Sequence, residues 1–487
     1  MATVADTGTS RSSSIDHSGE TALARLGLRF TNWAEHWFPD AYVFVCLAVA
    51  VVAVAAMFNG ASPMAVAKSF GDGFWSLIVF TMQMAIVAIG GYVVASSPPA
   101  AKLIDGLAAI PRSGAGAVAF VAAVSMLTSL LSWGLSLIFS GLLVRVLARR
   151  SNLHMDYRAA GAAAYLGLGA TWALGLSSSA AQLQANAASL PKSLLQITGV
   201  IPFSETIFLW QSLVIAVVLI SISIVLARLS APSGATAVTA QMMDVDLEQT
   251  QVTQLPKRKR PGEWLEYSPL LTLIVVALGG GWIMQEFASK DPILAISNLN
   301  TYNLLFLMLG MLLHWRPRSF LNSVAKAVPA TAGVLIQFPL YGGIATIMTG
   351  AKGFGDHTLA DQIAHAFVSL TTTGTFPIAM GIYSAVLGFF IPSGGGKWII
   401  EAPYVMQAAN DLKVHLGWAV QVYNTAEALP NLINPFWMLP LLGVLGLRAR
   451  DVVGFTFLQL LVHLPVVLFL LWLLAPTLPY HPPVIPQ

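Results

Sequence analysis

Charged residues are scarce in this chain, and their scarcity indicates its class. Of the 487 residues only 10% are charged, whereas 56% are hydrophobic. A soluble domain carries about 25% charged residues, so this chain has too few charges to cover a surface that faces water. Apolar runs such as 41–58 and 452–475 approach or exceed the roughly 20 residues that cross a bilayer as a helix. The composition therefore predicts an all-α polytopic membrane protein.

Cysteine and recognisable catalytic or metal motifs are scarce as well. The single cysteine, Cys46, excludes a disulfide within the chain. The nine histidines show no metal-ligand spacing, and H-E-x-x-H and G-x-S-x-G are both absent. GGGK (394–397) does not match a phosphate loop, because Trp398 follows the lysine where that motif needs Ser or Thr. We therefore expect no cofactor and no enzymatic activity.

The distribution of basic residues predicts the domain organisation by the positive-inside rule. The segment 230–263 is a basic linker that contains KRKR (257–260), which we interpret as a marker of the cytoplasmic side rather than as a nucleic-acid site. The other predicted segments are a polar N-terminal tail with an interfacial helix (1–40), a first membrane repeat (41–229), a second membrane repeat (264–475) and a C-terminal tail (476–487).

Two apolar stretches are too long for one simple crossing. Residues 116–147 would form a helix about 48 Å long, against about 30 Å of hydrocarbon, yet basic residues flank both ends. Residues 376–408 carry PSGGGK in their middle, and few basic residues flank them. These features predict two re-entrant helical hairpins, the first entering from the cytoplasm and the second from the external side.

The two halves of the chain also resemble each other weakly. FTMQMAIVAIGG (80–91) aligns with VLIQFPLYGGIA (334–345), and LSWGLSLIFSG (131–141) aligns with PSGGGKWIIEA (392–402). The identities are few, but together with the opposite hairpin orientations they predict two inverted repeats. Such repeats are typical of secondary transporters, whose substrate site lies near the bilayer midplane at broken helices.

The hairpin turns and the polar breaks that follow them supply the candidate site. A helix that starts after a glycine run directs free N–H groups and a positive dipole end at a carboxylate, although a plain turn is the alternative interpretation. Lys397 and Glu401 are one helical turn apart, so they either pair with each other or act separately on a substrate anion and a proton. The candidate substrate-binding residues are Ser132, Gly134, Ser136, Gln337, Ser393, Gly394, Gly395, Gly396, Lys397 and Asn431.

Polar groups at unwound helix points can also coordinate Na⁺, and packing between helices is the alternative role for each of them. The candidates for binding the coupling ion or a proton are Ser177, Ser178, Glu401, Asn424, Thr425 and Asn434.

Four segments carry a resemblance to a known family: FGDGFWSLIVFTMQMAIVAIGGYVVASSPP, GVLIQFPLYGGI, FIPSGGGKWIIEAPYVMQAA and NPFWMLPLLGVLGLRARDVVGF. They resemble the short-chain fatty acid transporter family, which includes uptake proteins for acetoacetate and butyrate and is similar to the ion-transporter superfamily. The resemblance covers about residues 25 to 475. It implies a mobile transport domain that holds both hairpins, elevator-type movement and a scaffold domain that forms a homodimer. The chain departs from the family pattern at Lys397 and Glu401, where His and Gln are frequent.

With this resemblance, we expect a secondary active transporter of short-chain monocarboxylates such as butyrate or acetoacetate. We expect it in the bacterial cytoplasmic membrane, with an H⁺ or Na⁺ gradient as the driving force because no ATP motif is visible. The alternative is a transporter of another organic anion, such as a dicarboxylate or an aminoacyl compound. An intramembrane enzyme lacks a nucleophile constellation, and a channel is disfavoured because the two hairpins oppose each other.

Overall fold

The structure is a computed structural model, and it describes residues 41–185, 187, 190, 192–247, 255, 257–290, 292–390, 394–434 and 436–485. The predicted N-terminal tail and interfacial helix (1–40) and the candidate site residue Ser393 lie outside the described residues. Helices dominate the described residues, which contain no β-strand and only one isolated bridge, between Gly199 and Val484. The predicted all-α fold is confirmed.

Several helices have the length and composition of membrane spans, so the protein is a multi-pass membrane protein. In the described part of the chain, five qualify: Tyr157–Gln184, Trp210–Ser230, Pro269–Ser289, Ala332–Gly350 and Ala449–Thr477. A sixth would be the pair Thr81–Ala95 and Pro98–Ala108, which bends by 66°.

Local sequence determines where many of these helices begin. Ser62, Ser97 and Ser268 each cap a helix with the side-chain oxygen and are each followed by a proline at the first helical position. The serine oxygen accepts a hydrogen bond from an otherwise unpaired N–H group of the first turn, and the proline has no N–H group that would need a partner. The helices of the first half are α1 (Ala41–Phe58), α2 (Pro63–Phe74), α3 (Ile78–Ala95), α4 (Pro98–Ala108), α5 (Gly114–Ser129), α6 (Trp133–Ala148), α7 (Tyr157–Leu166), α8 (Ser179–Gln184), α9 (Lys192–Thr198) and α10 (Trp210–Ser230).

The first long apolar stretch is divided into α5 and α6 by a break at residues 130–132. The polar break that follows lies between α7 and α8, where the helix loosens into a π-turn over Gly167–Thr171 and a 3₁₀ turn over Trp172–Leu174.

The second half contains the same kinds of break. The second long apolar stretch consists of two helices on either side of residues 391–393, and a further break separates Asn431 from Leu439. The helices are α11 (Glu263–Tyr267), α12 (Pro269–Ser289), α13 (Pro292–Ser297), α14 (Leu299–His314), α15 (Pro317–Ala327), α16 (Ala332–Gly350), α17 (Leu359–Leu370), α18 (Phe376–Phe390), α19 (Gly394–Asp411), α20 (Leu416–Asn431), α21 (Leu439–Leu445) and α22 (Ala449–Leu474).

The two halves pack against each other in a reciprocal way. In one direction α1 and α2 pack on α16, and in the other direction α14 and α15 pack on α3. One helix of each predicted hairpin lies on one of the same two central helices, α6 on α3 and α19 on α16. A Cβ at Gly91 would lie 2.4 Å from the backbone of Gly134, so glycine at this contact permits the close approach of α3 and α6.

Candidate functional site

The starts of α6 and α19 meet at a shared cavity in the centre of the protein, with a volume of about 20 Å³. Apolar and aromatic side chains form most of its wall, and the glycine backbone at the start of α19 and one serine add polar groups. The lining residues are Met84, Trp133, Leu168, Trp172, Ser179, Phe338, Gly394, Gly395 and Trp437.

Corresponding positions of the two halves line this cavity together. Met84 aligns with Phe338, and Trp133 aligns with Gly394, in the two segment pairs described above. Trp172 and Trp437 lie in the breaks that follow the first and second hairpin helices, in the matching stretches TWAL (171–174) and FWML (436–439).

Each of these two tryptophans contacts the start of a hairpin helix from the other half. The ring centroids of Trp437 and Trp133 are 5.3 Å apart. The ring of Trp172 lies so close to Gly394 that a Cβ added to Gly394 would be 2.2 Å from the nearest atom of that ring. Nε1 of Trp172 is buried and has no hydrogen-bond partner among the described residues. A buried N–H group without a partner favours a ligand that carries a hydrogen-bond acceptor, such as a carboxylate oxygen.

Directly behind the cavity wall, three charged side chains form a buried cluster. Nζ of Lys397 lies 2.6 Å from Oε2 of Glu427 and 3.3 Å from Oε2 of Glu401. Lys397 and Glu401 are fully buried, and Glu427 is 1% exposed. The chain places these charges on two helices that pack together, α19 and α20. Charges at this depth are stable only when they are paired and hydrogen-bonded.

Further groups hold the cluster in place. Nζ of Lys397 donates to the carbonyl of Ser384 at 2.7 Å, and the Ser384 hydroxyl donates to Oε1 of Glu401. The Lys397 ammonium also lies 4.5 Å from the ring centre of Tyr423, within the range of a cation–π contact. The Tyr423 hydroxyl donates to the carbonyl of Gly394 at 2.6 Å, so this side chain connects the cluster with the cavity wall.

Of the predicted substrate-binding residues that the structure describes, Gly394 and Gly395 line the cavity, and Gly396 and Lys397 are buried next to them in α19. The others lie nearby with packing or capping contacts. Ser132 accepts from N–H of Leu135 at 3.2 Å, Ser136 donates to the carbonyl of Ser125 at 2.7 Å, and Gly134 lies against the carbonyl of Val87. Gln337 accepts from Tyr341 at 3.3 Å, and the Asn431 carbonyl accepts from Tyr165 at 3.0 Å.

The predicted ion or proton candidates are all buried, and most donate to a backbone carbonyl or a side-chain amide. Their contacts are Ser177 to the Ser129 carbonyl (2.7 Å), Ser178 as the cap of α8, Asn424 to Oε1 of Gln421 (2.6 Å), Thr425 to the Gln421 carbonyl (2.7 Å) and Asn434 to the Phe389 carbonyl (3.0 Å). Glu401 differs, because it belongs to the charged cluster. No group of three or more His, Cys, Asp or Glu side chains able to hold a metal ion occurs within the described ranges.

Sequence reasoning missed the aromatic wall and the second partner of Lys397. Glu427 is not among the site residues predicted from the sequence, although it lies closer to Lys397 than Glu401 does. The matching W-x-L stretches in the two breaks were the signal that could have indicated Trp172 and Trp437.

A wider cleft lies along the same faces of α3 and α6. It reaches Tyr92 on α3, eight residues and about 12 Å of helix beyond Met84. Arg145, Arg149 and Lys326 line it, and the last of these lies on α15 of the other half. This side is basic, which favours the approach of anions.

The family model described as "Short chain fatty acid transporter" matches residues 22–474. The chain belongs to the short-chain fatty acid transporter family. The family resemblance seen in the sequence is thereby confirmed, and with it the expectation that the protein is not an enzyme, since this is a family of transporters.

Two relatives agree with this assignment, and a solved structure shares the fold. A provisionally named short-chain fatty acid transporter of Escherichia coli (strain K12) is 33% identical over 90% of this chain and 97% of its own length. A protein with the same provisional name from Haemophilus influenzae is 29% identical over 93% of this chain and 100% of its own. The fold is similar to that of MtrF from Neisseria gonorrhoeae, an antimetabolite efflux pump, with a TM-score of 0.55 and 13% identity over 94% of this chain and 100% of that one.

Proposed function

We propose that this family member is a secondary active transporter of short-chain monocarboxylates, such as butyrate or acetoacetate, across the bacterial cytoplasmic membrane, coupled to an H⁺ or Na⁺ gradient. The observation that carries this proposal is the central cavity, in which the glycine start of α19 faces a wall of tryptophan and other apolar side chains. A helix start suits a carboxylate, and the apolar wall suits a short hydrocarbon tail.

The proposed architecture is two inverted repeats with a re-entrant hairpin in each, which move as an elevator-type transporter. The order of helices supports this, because α1, α2 and α3 correspond in length and position to α14, α15 and α16, and each hairpin is followed by a broken helix. The reciprocal packing of α1 on α16 and α14 on α3 is what a pseudo-two-fold axis would produce. The mobile part would contain both hairpins and both broken helices, and the scaffold would form a homodimer.

Within this site we propose that the N–H groups of Gly394, Gly395 and Gly396 bind the carboxylate, with Trp172 Nε1 as a further donor. The Lys397 ammonium would hold the cluster together rather than bind the substrate, because two carboxylates already contact it. Among the described residues, the site therefore offers no free cation to a second carboxylate, which favours a monocarboxylate over a dicarboxylate.

The test is uptake of labelled acetoacetate and butyrate into proteoliposomes under separately imposed Na⁺ and pH gradients, with protein-free liposomes as the measure of passive diffusion. We expect gradient-driven uptake that unlabelled butyrate inhibits and a dicarboxylate does not. Inhibition by a dicarboxylate or an aminoacyl compound, with no monocarboxylate uptake, would instead support the organic-anion alternative.

A matched pair of variants ties this uptake to the cavity. Trp437→Ala removes part of the cavity wall and should abolish most uptake, whereas Trp282→Ala makes the same change on the exposed surface of α12, where the side chain is 42% exposed, and should not. Equal uptake by the two variants would contradict the proposed site.

A further inference from the structure

The buried cluster holds one carboxylate more than it has cations. Lys397 is the ammonium, and Glu401 and Glu427 are the two carboxylates that contact it. If all three were ionised, the cluster would carry a net charge of minus one with no exposure to water. Two close carboxylates in a buried site do not both remain ionised beside a single cation, because desolvation and mutual repulsion favour the protonation of one of them.

Hydrogen bonding indicates which carboxyl takes the proton. Glu401 accepts from the Ser384 hydroxyl through Oε1 and contacts Lys397 through Oε2. Glu427 has only Lys397, at Oε2, and its Oε1 has no hydrogen-bond partner among the described residues. Lys397 lies closer to Glu427 (2.6 Å) than to Glu401 (3.3 Å), but Glu427 has no donor besides this ammonium in the described part of the chain, and its buried Oε1 is left unsatisfied in the ionised form. We therefore assign the proton to Glu427.

No second cation of the described chain stands close to this carboxyl. The titratable groups that face Glu427 and its partner Glu401 come from four helices, and all except Lys397 are acidic groups or tyrosines. They are Lys397, Glu401 and Tyr404 on α19, Tyr383 on α18, Tyr341 on α16 and Tyr423 on α20.

We propose that Glu427 is the proton-binding residue of this transporter and that one proton accompanies each monocarboxylate anion. This inference rests on the proposed function and names its coupling ion. The Glu427 carboxylate takes up a proton on the external side and releases it on the cytoplasmic side. Because one proton and one anion cross together, the transport step is electroneutral, while Lys397 and Glu401 keep their ion pair throughout.

The route from the proton site to the substrate site is a single side chain. Tyr423 lies one turn before Glu427 on α20, donates to Gly394 at the cavity wall and carries Lys397 against its ring. When Glu427 loses its proton, its electrostatic attraction for the Lys397 ammonium increases and the ammonium moves. This movement is transmitted through the Tyr423 ring to Gly394 at the start of α19. Because the deprotonated cluster carries a net charge of minus one, protonation of Glu427 also favours binding of the carboxylate anion.

The decisive experiment compares the wild type with Glu427→Gln, which resembles the protonated carboxyl and cannot release a proton. In the wild type, an imposed difference of about one pH unit supports about tenfold accumulation of acetoacetate at one proton per anion, and the membrane potential has no effect on it. In Glu427→Gln this pH-driven accumulation falls to the level of protein-free liposomes. Exchange of external labelled for internal unlabelled acetoacetate at equal pH continues, because exchange requires no proton release. Glu286→Gln, on α12 outside the cluster, where the carboxylate pairs with Lys290, is the matched control and keeps both activities.

A second measurement tests the proton site without transport. In the infrared spectrum of the purified protein, the C=O band of a protonated carboxyl should titrate with pH, disappear in Glu427→Gln and persist in Glu286→Gln. If the band is unchanged in Glu427→Gln, or if this variant keeps pH-driven accumulation, Glu427 is not the proton-binding residue.

Sodium-driven or voltage-sensitive uptake by the wild type would overturn the inference and leave the proposed function intact. Absence of carboxylate uptake and exchange in folded wild-type protein would overturn the proposed function, and the infrared result would then decide the proton site alone.

Discussion

The hydroxyl of Tyr423 donates to the carbonyl of Gly394 at 2.6 Å, so a residue of α20, the third-last helix, holds the start of α19. Trp398 adds a second contact to the same ring, with centroids 4.5 Å apart. Both the hydroxyl and the ring of Tyr423 therefore contact α19, and its position is determined by α19 as much as by its own helix.

We expect Tyr423→Phe to raise the KM for acetoacetate about fivefold, since a lost hydrogen bond costs about 1 kcal/mol and fixes the hairpin start less firmly. The ring and its contact with Lys397 are retained in this variant. The control is Tyr404→Phe, which removes a hydroxyl that bonds to Tyr383 at 2.9 Å and has no contact with Gly394 among the described residues. A KM shift of the same size in both variants would mean that the Gly394 contact has no specific role.

Gly394→Ala should abolish transport because its Cβ would lie 2.2 Å from the ring of Trp172. The added methyl forces either the tryptophan or the hairpin start to move. The double variant with Trp172→Phe removes the ring atoms in question and should restore a measurable part of the uptake. Gly281→Ala, at a position with nothing within 4 Å of the new Cβ, controls for a general effect of the substitution. Failure of the second change to restore any uptake would show that the steric explanation is insufficient.

Lys326→Gln should raise the KM for substrate added on the cleft side about two- to fivefold at low ionic strength, because the lining of the cleft loses a positive charge. The KM from the opposite side and the maximal rate should stay the same. Zero-trans influx and efflux in oriented proteoliposomes measure both constants. The control is Lys68→Gln, an exposed lysine paired with Asp72 away from the cleft. Persistence of the effect at high salt would argue against an electrostatic cause.

His415 should make stability decrease in mildly acidic solution. Its Nδ1 accepts from N–H of Trp418 at 3.0 Å, and burial lowers the pKa of His415, which outweighs the raising effect of Glu205. A pKa below the unfolded value of about 6.5 means that the unfolded chain binds the proton more tightly, so the free energy of unfolding falls as the pH drops below about 6.5.

His415→Asn keeps an acceptor for the Trp418 N–H but does not titrate. We expect the Tm of the purified protein to fall less steeply for this variant than for the wild type between about pH 7 and pH 5.5. Parallel curves for the two proteins would exclude His415 as the source of the pH dependence.

The fold class and the family were predictable because they depend on composition and on local segments. A charge fraction of 10% and runs of about 20 apolar residues suffice for an all-α membrane protein. One helix break is local too, since residues 130–132 interrupt a stretch too long for one crossing. The re-entrant path of the hairpins, the inversion of the repeats and the elevator movement stay predictions.

The site was predictable only where neighbours in sequence form it. Lys397 and Glu401 were recognised because their spacing puts them on one helical face. Glu427 comes from another helix, thirty residues after Lys397, and no periodicity relates the two. Ser136 was a candidate because it is close in sequence to the break at residues 130–132. Its hydroxyl instead donates to the Ser125 carbonyl, so it joins two helices and does not face the cavity. Tertiary packing, which brings Trp172 to Gly394 and Trp437 to Trp133, decides which polar residues face the cavity.

The reciprocal packing of the halves has a consequence for how the protein is made. The first half reaches the membrane before the second, yet α3 packs against α14, which follows it by some 200 residues. At about 5–20 residues per second, roughly 10–40 s of synthesis separate these two helices. During that interval the faces of α1 and α3 that later contact the second half are covered by lipid or by the insertion machinery, so neither half completes its fold before the chain is nearly finished.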